Sequence, residues 1–286
     1  MTTLRVATLN IWNKSGPWQE RLALIRRELR ARDPDVFGLQ EVLRLVPPGV
    51  AAHVPDAASC QATEIAVGFD YRIAYAAAAD YGGGLMFGNA VLSRFPIREE
   101  RSFILPSLDS AESRSLLYAL LDTPHGLLPV FVTHLNWKFH QGNVRLAQVR
   151  FIAERVRELA PVQGPHLPPV LMGDFNAEPE ADEIRFLRGL CVVENQSVFF
   201  ADAWLYGGDG GPGFTYHRDN DYARPHREPS RRIDYIFVRG PDKLLRGEPM
   251  TTELAFAVPE GGPEGRIWPS DHFGLVTDLY LAPRSP

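Results

Sequence analysis

Short apolar segments recur along the chain, and their length and composition predict β-strands. They lie at residues 5–8, 36–39, 89–92, 116–121, 130–134, 170–172, 233–238 and 275–280. Between residues 89 and 135 these segments are separated mainly by turn-forming residues, which predicts strands joined by hairpins. The Gly-rich run at residues 81–84 is expected to be a turn before a strand, not a phosphate-binding loop.

Two longer segments, at residues 18–32 and 143–160, have apolar residues at helical spacing. The first helix is expected to end before Pro34, and the second to run from an N-cap at Asn143 to Pro161. A shorter helix is expected after Pro179. Because strands and helices alternate only in part, the pattern favours mixed sheets with helices outside them over a purely parallel α/β fold.

No internal repeat and no linker-like stretch divides the sequence, so residues 1–286 are expected to form one domain. Long loops are predicted at residues 47–63 and 207–231. His140 and His217 are the loop histidines expected to line a cleft. The second loop and the residue after it carry arginines that are candidates for contacts with substrate phosphates: Arg218, Arg224, Arg227, Arg231 and Arg232.

Composition narrows the class of protein. An apolar content of 45% and a charged content of 23% are typical of a globular domain with a sizeable core. The net charge of −5 weighs against a non-specific nucleic-acid binder without excluding a nucleic-acid substrate. Cys60 and Cys191 lack metal-type spacing and are expected to be free thiols, with one disulfide as the alternative. No bilayer-spanning stretch or leader is evident, so a cytoplasmic monomer is predicted.

Polar side chains of the kind that bind metal ions follow two of the predicted strands. Asn10 comes after the strand at residues 5–8, and Glu41 comes after the strand at residues 36–39. One carboxylate with an amide oxygen, completed by water and substrate phosphate, suits Mg²⁺, and Mn²⁺ is an acceptable substitute. Since neither Cys nor His accompanies them in zinc spacing, zinc is disfavoured.

A second polar pair, Asp174 and Asn176, follows the buried strand at residues 170–172. Gly173 is expected to let the backbone turn sharply between them and the strand. A carboxylate and an amide at this spacing suit a nucleophilic water, because one orients or deprotonates it and the other donates a hydrogen bond to it. The alternative is a simple Asx turn.

Two histidines are candidates for proton transfer. His134 ends a predicted strand, and His272 follows Asp271 at the start of the last one. A neutral imidazole beside a carboxylate suits activation of water, and a second, charged imidazole stabilises phosphoryl oxygens. Asp234 lies in an otherwise apolar strand and needs a partner, for which a histidine is expected. Arg114 is a candidate for bidentate phosphate binding, with a surface salt bridge as the alternative.

The order of these residues resembles the endonuclease/exonuclease/phosphatase superfamily, which includes nucleases, neutral sphingomyelinases, inositol polyphosphate phosphatases and poly(A) deadenylases. The motifs are specific in combination and ordinary when taken singly. The match extends from about Thr8 to Phe273, nearly the whole chain. It rests on Asn10, Glu41, His134, Asp174-Phe175-Asn176, Asp234 and Ser270-Asp271-His272.

The resemblance implies a four-layered α/β sandwich, in which two packed mixed β-sheets are flanked by helices and the site lies at one end. It implies that Glu41 with Asn10 forms a Mg²⁺ site, and that Asp271 helps to ligate the metal. Arg114 and Asn136 are the predicted substrate-binding residues.

The resemblance also implies roles for the residues predicted to be catalytic. Asp174 and Asn176 are expected to position water and phosphate. His272, paired with Asp234, is expected to act as the general base or to orient the water. His134 is expected to be the second histidine that contacts phosphate.

Three hypotheses for function follow. The first is a metal-dependent phosphodiesterase that cleaves a nucleic-acid or nucleotide-like phosphodiester by in-line attack of water. The second keeps the same chemistry on a phospholipid headgroup, as in sphingomyelinases, or on a phosphomonoester. The third is a binding module that keeps the fold without catalysis. Because every expected catalytic position is filled, the sequence favours an enzyme.

Overall fold

A computed structural model describes residues 2–46, 59–162, 164–240, 242–262 and 265–281. Its α-helices are α1 (Trp18–Arg32), α2 (Gln61–Ala66), α3 (Gly142–Leu159), α4 (Asp182–Leu187) and α5 (Ala203–Gly207). Its strands are β1 (Thr2–Asn10), β2 (Val36–Leu45), β3 (Ser59–Cys60), β4 (Arg72–Asp80), β5 (Leu85–Ser93), β6 (Ile97–Ile104), β7 (Ser115–Thr123), β8 (Gly126–His134), β9 (Val170–Asp174), β10 (Ala201–Asp202), β11 (Asp234–Val238), β12 (Pro249–Ala255), β13 (Glu260–Gly262), β14 (Gly265–Ile267) and β15 (Gly274–Leu281).

Two mixed β-sheets form the centre of the fold. The first has the strand order β12-β15-β1-β2-β5-β4, and β3 pairs with β2 beside this path. The second has the order β10-β11-β9-β8-β7-β6. In the first sheet β1 and β2 are parallel, and in the second β8 and β9 are parallel, whereas their other neighbours are antiparallel. A small hairpin of β13 and β14 lies apart from both sheets.

Buried apolar side chains fill three layers between these elements. The first layer lies between the two sheets and includes Val6, Val91, Val132, Met172 and Leu275. In the second layer, residues of α3 and α4 cover the outer face of the second sheet. In the third layer, residues of α1 and α2 cover the outer face of the first sheet. The order helix, sheet, sheet, helix confirms the four-layered α/β sandwich.

The parallel pairs bring the polar strand ends to one end of the sandwich. The units β1–α1–β2 and β8–α3–β9 each join two parallel strands through a helix, one unit in each sheet. In the second sheet, His134 lies opposite Asp174 on β9, and Asp234 on β11 lies on the other side of Asp174. Across the two sheets, Asn10 at the end of β1 donates a hydrogen bond to Asp174, with an Nδ2–Oδ2 distance of 3.0 Å.

Most predicted elements are present, and each of the eight predicted strands overlaps an observed one. The helix expected after Pro179 is α4, and residues 81–84 connect β4 to β5 as a turn. The predicted loop at residues 207–231 contains a 3-10 turn at Arg224–His226 and isolated bridges of Tyr216. Both cysteines are free thiols.

Two expectations about local structure are wrong, and a third falls mostly on residues outside the described ones. The second long helix begins at Gly142 and not after an Asn143 cap, and the residue before it, Gln141, makes no side-chain cap bond. The strands between residues 89 and 135 do not form one meander, because β5 belongs to the first sheet and β6 to the second. Residues 47–58 of the predicted loop at 47–63 lie outside the described residues, and the rest of it contains β3 and the start of α2.

Candidate active site

Glu41 lies at a β-bulge, which turns its side chain into the site. Its backbone has φ of 60°, and the register between β2 and β5 shifts between Leu39 and Val42. Both carboxylate oxygens accept hydrogen bonds from amides, Oε1 from Asn10 at 3.2 Å and Oε2 from Asn13 at 2.9 Å. The sequence placed Glu41 after a strand, whereas it lies inside one. Bulges often re-aim a side chain beside an active site, and this one does so for Glu41.

Asp174 is the last residue of β9 and only 1% exposed. Its Oδ2 accepts from Asn10, and its Oδ1 accepts from the backbone N–H of Asn176 at 2.9 Å. Gly173 lies within the strand and not at a turn after it. Its φ is 141°, and a Cβ there would lie 1.9 Å from the carbonyl oxygen of Thr133, so β8 and β9 approach too closely for any other residue.

His272 and Asp234 form a buried hydrogen-bonded pair. His272 Nδ1 donates to Asp234 Oδ2 at 2.9 Å, and His272 Nε2 lies 3.8 Å from Asp174 Oδ2. The backbone N–H of Asp234 donates to Thr215 Oγ1, while its Oδ1 is buried without a hydrogen-bond partner among the described residues. The histidine partner predicted for Asp234 is therefore present, and it connects Asp234 to Asp174.

His134 lies on the other side of Asp174, with its Nε2 3.4 Å from Asp174 Oδ2. Its Nδ1 accepts a hydrogen bond from Arg114 Nη1 at 3.1 Å, which fixes the proton of the neutral imidazole on Nε2. Arg114 is buried, and its Nη2 donates to Glu112 at 3.1 Å. Neither predicted state of Arg114 is observed, because its guanidinium is neither free for bidentate phosphate binding nor part of a surface salt bridge.

The two histidines differ in charge, and in the opposite sense to the sequence-based expectation. Burial, Arg114 and His272 together lower the pKa of His134 well below its ordinary value, so this imidazole is neutral. Burial also lowers the pKa of His272, but Asp234, Asp271 and Asp174 outweigh it and raise that pKa well above the ordinary value. His272 is thus the charged imidazole, although it was expected to be the neutral base.

The carboxyl group of Asp174 has a pKa close to neutral pH. Burial, followed by the negative charge of Asp234, raises its pKa to about 7, against opposing contributions from His272, Asn10 and Asn176. A carboxylate with a pKa near neutral pH accepts a proton from water more readily than an ordinary aspartate does. The geometry therefore favours Asp174 over His272 as the proton acceptor.

Glu41 and Asp271 are the carboxylates that suit a divalent cation. Both line the same cleft, and burial, together with the like charge of Glu41, raises the pKa of Asp271 to about 6 against the opposing charge of His272. Two carboxylates that repel each other fit a hard cation, which relieves the repulsion. Asn10 is not arranged as a ligand, because its Oδ1 accepts from the backbone N–H of Trp12 and its Nδ2 faces Glu41 and Asp174.

A second group of potential ligands consists of Asp174, Asp234 and His272, whose atoms lie within 4.8 Å of one another. The hydrogen bond between His272 and Asp234 already occupies two of these residues. His272, whose pKa is raised, supplies a positive charge that offsets the charge of one of the two carboxylates. Glu41 with Asp271 therefore remains the better candidate for a metal.

A cleft of about 880 Å³ opens over these side chains. Glu41, Asp271, His134, Asp174, Asn176, His272 and Arg114 line it. Lining residues that sequence reasoning missed include Trp12, Asn13, Tyr81, Glu112, Trp137, Tyr216 and Glu228, whereas Arg231, a predicted phosphate contact, does line the cleft. Of these, Asn13 carried a signal, since it is polar and follows Asn10 by three residues. His226 lines the cleft in place of the predicted His140 and His217.

Asn136 is misassigned as a substrate-binding residue. Its side chain is fully buried, with Nδ2 donating to Ser110 and Gln141 and Oδ1 accepting from Gln148 Nε2 at 2.7 Å. The backbone carbonyl of Asn136 accepts from Arg145. Because its polar groups are used within the protein, Asn136 holds the segment after β8 in place and offers nothing to the cleft.

Two of the four arginines in the 207–231 segment, Arg224 and Arg231, pair with acidic neighbours, whereas the exposed Arg218 and Arg227 form no ion pair among the described residues. Arg224 pairs with Asp221 at 2.8 Å, and Arg231 pairs with Glu228 and stacks on Phe139 at 4.4 Å. Arg232, predicted with them as a phosphate contact, is buried and binds both oxygens of Asp202. Tyr216, His226, Glu228 and Arg231 of this segment line the cleft, whereas Arg218, Arg224 and Arg227 do not.

The description "Endonuclease/Exonuclease/phosphatase family" belongs to a family model that matches residues 7–272. The chain belongs to this family. Its members are metal-dependent hydrolases that act on phosphoester bonds, so the protein is a hydrolase acting on ester bonds. No curated protein sequence matches the chain. In the described part of the chain, no helix is long and apolar enough to cross a membrane.

Solved structures share the fold at low sequence identity. The endonuclease/exonuclease/phosphatase from Bacteroides vulgatus is 19% identical, with a TM-score of 0.73 and coverage of 99% of this chain and 100% of that one. A mannosyl-6-phosphatase from Bacteroides thetaiotaomicron is 19% identical, with a TM-score of 0.71 and coverage of 97% and 99%. TDP2 from Caenorhabditis elegans is 19% identical, with a TM-score of 0.66 and coverage of 97% and 75%. These similarities show the fold alone.

Proposed function

We propose that this protein is a Mg²⁺-dependent phosphodiesterase that hydrolyses a small, nucleotide-like phosphodiester by in-line attack of water. The observation that carries the proposal is the convergence of Asp174, Asp234 and His272 from three strand ends beside the carboxylates of Glu41 and Asp271. A proton acceptor, a charged imidazole and a hard-cation site in one cleft are the parts that this reaction needs.

In this proposal the residues around Asp174 prepare the water. Asp174 accepts its proton, and Asn10 and the backbone of Asn176 hold the carboxylate in place through hydrogen bonds. The side-chain amide of Asn176 donates to the carbonyl of Leu135 at 3.1 Å, which fixes the loop beside the attack site. Positioning of this kind supplies a large part of the acceleration in phosphoryl transfer.

The two histidines act on the phosphoryl group from either side of Asp174. The charged imidazole of His272, held by Asp234, stabilises negative charge and donates a proton toward the leaving oxygen. His134, kept neutral by burial and by the charges of Arg114 and His272, presents its Nε2–H as a hydrogen-bond donor. Mg²⁺ bound by Glu41 and Asp271 would supply neutralisation of charge on the phosphoryl oxygens.

The charges of the cleft favour a small substrate over a long nucleic acid. Arg114 and Arg231 are the lysine or arginine residues lining it within the described ranges, and both are already paired with Glu112 and Glu228. Nucleic-acid affinity depends on Lys and Arg that are free to neutralise several phosphates. A volume of about 880 Å³ is within the range of small-molecule sites.

The test is hydrolysis of a chromogenic phosphodiester and of its matching monoester, each with Mg²⁺, with Mn²⁺ and with EDTA. We expect activity that EDTA abolishes, that either metal restores and that favours the diester. Preference for the monoester would replace the proposal by a phosphomonoesterase, the activity named for the mannosyl-6-phosphatase among the structural neighbours. No turnover by folded protein with either metal would contradict it.

A second comparison separates a small substrate from a polymer or a lipid. Rates with a dinucleotide, single-stranded DNA and a phospholipid headgroup ester are measured at low and moderate salt. We expect the dinucleotide to be hydrolysed fastest, with little dependence on salt, because no free cation of the cleft awaits a second phosphate. The organisation of residues 1–286 as one domain, the monomeric state and the cytoplasmic location stay predictions.

A further inference from the structure

Arg21 is a buried cation that lies behind the candidate metal site. It sits in the first turn of α1, its side chain is fully buried, and among the described residues it forms no ion pair. Its guanidinium donates instead to backbone carbonyls. The acceptors are Ile11, Asn13 (3.4 Å), Ser15 (2.6 Å) and Pro269 (3.2 Å).

These carbonyls belong to the two segments that support Glu41 and Asp271. The loop of Ile11 and Ser15 contains Asn13, whose side-chain amide donates to Glu41 Oε2. Pro269 is two residues before Asp271 in the sequence. One guanidinium therefore joins two segments that are about 250 residues apart in the chain. Its hydrogen bond to Pro269 makes this link directly.

A neutral or smaller side chain does not reproduce this arrangement. Five N–H groups in a planar fork reach acceptors on two segments, whereas the ammonium of lysine offers three donors from one nitrogen. The charge remains at neutral pH, since burial lowers the pKa of Arg21 only to about 10. The faces of Trp12 and Trp18, with centroids 4.9 and 5.5 Å from the guanidinium carbon, complete its surroundings.

Burying a cation without a carboxylate partner is unfavourable for folding, so packing alone does not account for it. The negative charges of Asp271 and Glu41 both act to raise the pKa of Arg21 against the effect of burial, so the guanidinium and these carboxylates attract each other. This attraction offsets the repulsion between the two carboxylates, and the hydrogen bonds fix the loop that contacts Glu41 and the segment that leads into Asp271.

We propose that Arg21 is a positioning residue for the divalent-metal site, joining the loop after β1 to the segment before Asp271 so that Glu41 and Asp271 bind one cation. This inference rests on the proposed function, because it takes these two carboxylates as the metal ligands. Arg21 touches neither substrate nor metal, and its effect on both passes through the segments it binds.

Arg145 provides a matched control. It is also a buried arginine near the start of a helix, α3, and it donates to the carbonyls of Asn136 at 3.2 Å and Lys138 at 2.7 Å. It differs in being paired with Glu183 at 2.5 Å. The double variant Arg145→Gln with Glu183→Gln removes the same kind of support without leaving a lone buried charge.

The experiment is calorimetric titration of the full chain with Mn²⁺ in the absence of substrate, together with thermal unfolding in EDTA. We expect Arg21→Gln to weaken Mn²⁺ binding by about 10- to 100-fold, the usual effect of losing a residue that supports metal ligands. The control double variant should unfold at lower temperature and bind Mn²⁺ within about twofold of the unaltered protein.

Equal Mn²⁺ affinity in Arg21→Gln and the unaltered protein would overturn the proposal, and so would equal weakening in the control. If Arg21→Gln does not fold, Arg21→Lys carries the test. It keeps the charge but loses the fork, so binding should weaken at least about threefold, and unchanged binding would refute the inference. A protein that binds Mn²⁺ but hydrolyses no diester would refute the proposed function alone.

Discussion

Replacing Asp174 by asparagine is expected to remove turnover and, at the same time, to make the metal-free protein more resistant to alkaline pH. Asp174 is buried beside Asp234, and burial with that neighbouring charge raises its pKa from 3.8 to about 7. The carboxyl that the reaction needs in its ionised form is therefore a carboxyl that the fold prefers to protonate.

The size of the effect follows from this shift. Between the unfolded pKa of 3.8 and the folded pKa of about 7, the folded state binds more protons, so stability falls as pH rises. Each pKa unit corresponds to about 1.4 kcal/mol, so raising the pH from about 5 to above 7 costs about 3 kcal/mol. The raised pKa of His272 acts in the same direction, because its stabilisation is present at low pH and is lost as pH rises through the folded pKa.

Asparagine cannot ionise, so the stability of the variant should lack the part of the decline with rising pH that is due to Asp174. It also loses a hydrogen bond, because Oδ1 accepts from Asn176 and Oδ2 accepts from Asn10, and an amide offers only one acceptor. That loss costs about 1–3 kcal/mol at every pH. The variant should thus be less stable than the unaltered protein near pH 5 and should match or exceed it near pH 8.

The assay is urea unfolding in EDTA across this pH range, with Asp278→Asn as a control of opposite sign. The hydrogen bond from Arg5, with its positive charge, lowers the pKa of Asp278, so its stabilisation is present above pH 4. The control should therefore lose about the same stability near pH 5 and near pH 8. A decline with pH in Asp174→Asn as steep as in the unaltered protein would refute the reasoning.

Three further predictions concern the rest of the site. Asp234→Asn should lower kcat about 10- to 150-fold, the equivalent of the 1.5–3 kcal/mol of a charge-assisted hydrogen bond to His272, and unchanged steady-state kinetics would contradict the pairing. Gly173→Ala should not yield folded protein by circular dichroism, because the new Cβ would lie 1.9 Å from the Thr133 carbonyl, and a native melting curve would disprove this. Glu41→Gln should raise the Mg²⁺ concentration for half-maximal activity at least about tenfold, and an unaltered metal requirement would place the cation elsewhere.

The positions of the candidate site residues could be predicted from the sequence, because the ends of strands can be predicted from it. Apolar runs mark where β8, β9 and β11 lie, and the polar residues His134, Asp174 and Asp234 at the ends of these strands have few structural reasons to be there. Pairing in register then brings His134, Asp174 and Asp234 into one row. The alternation of strands and helices alone predicted only mixed sheets with helices outside them. The order of the motifs, through the family they resemble, indicated the four-layered sandwich.

The charges of the site residues and the contacts that support them could not be predicted from the sequence, because they depend mostly on neighbours distant in sequence. His134 is neutral because burial, Arg114 and His272 lower its pKa. His272 is charged because Asp234 and Asp174 from two strands, together with the adjacent Asp271, raise its pKa. The bulge that turns Glu41 inward arises from a register shift between β2 and β5, which leaves no signal in composition. Asn136 resembled a site residue by its place after His134, and only its full set of internal hydrogen bonds shows otherwise.

The most direct test of the central claim is hydrolysis of a chromogenic phosphodiester in ¹⁸O-labelled water, with Mg²⁺ and with EDTA, followed by mass spectrometry of both products. The account predicts product only with Mg²⁺, and ¹⁸O in the phosphate product with none in the released alcohol, since water attacks phosphorus in line. Label in the alcohol, or equal turnover in EDTA, would contradict metal-dependent attack of water on the phosphodiester.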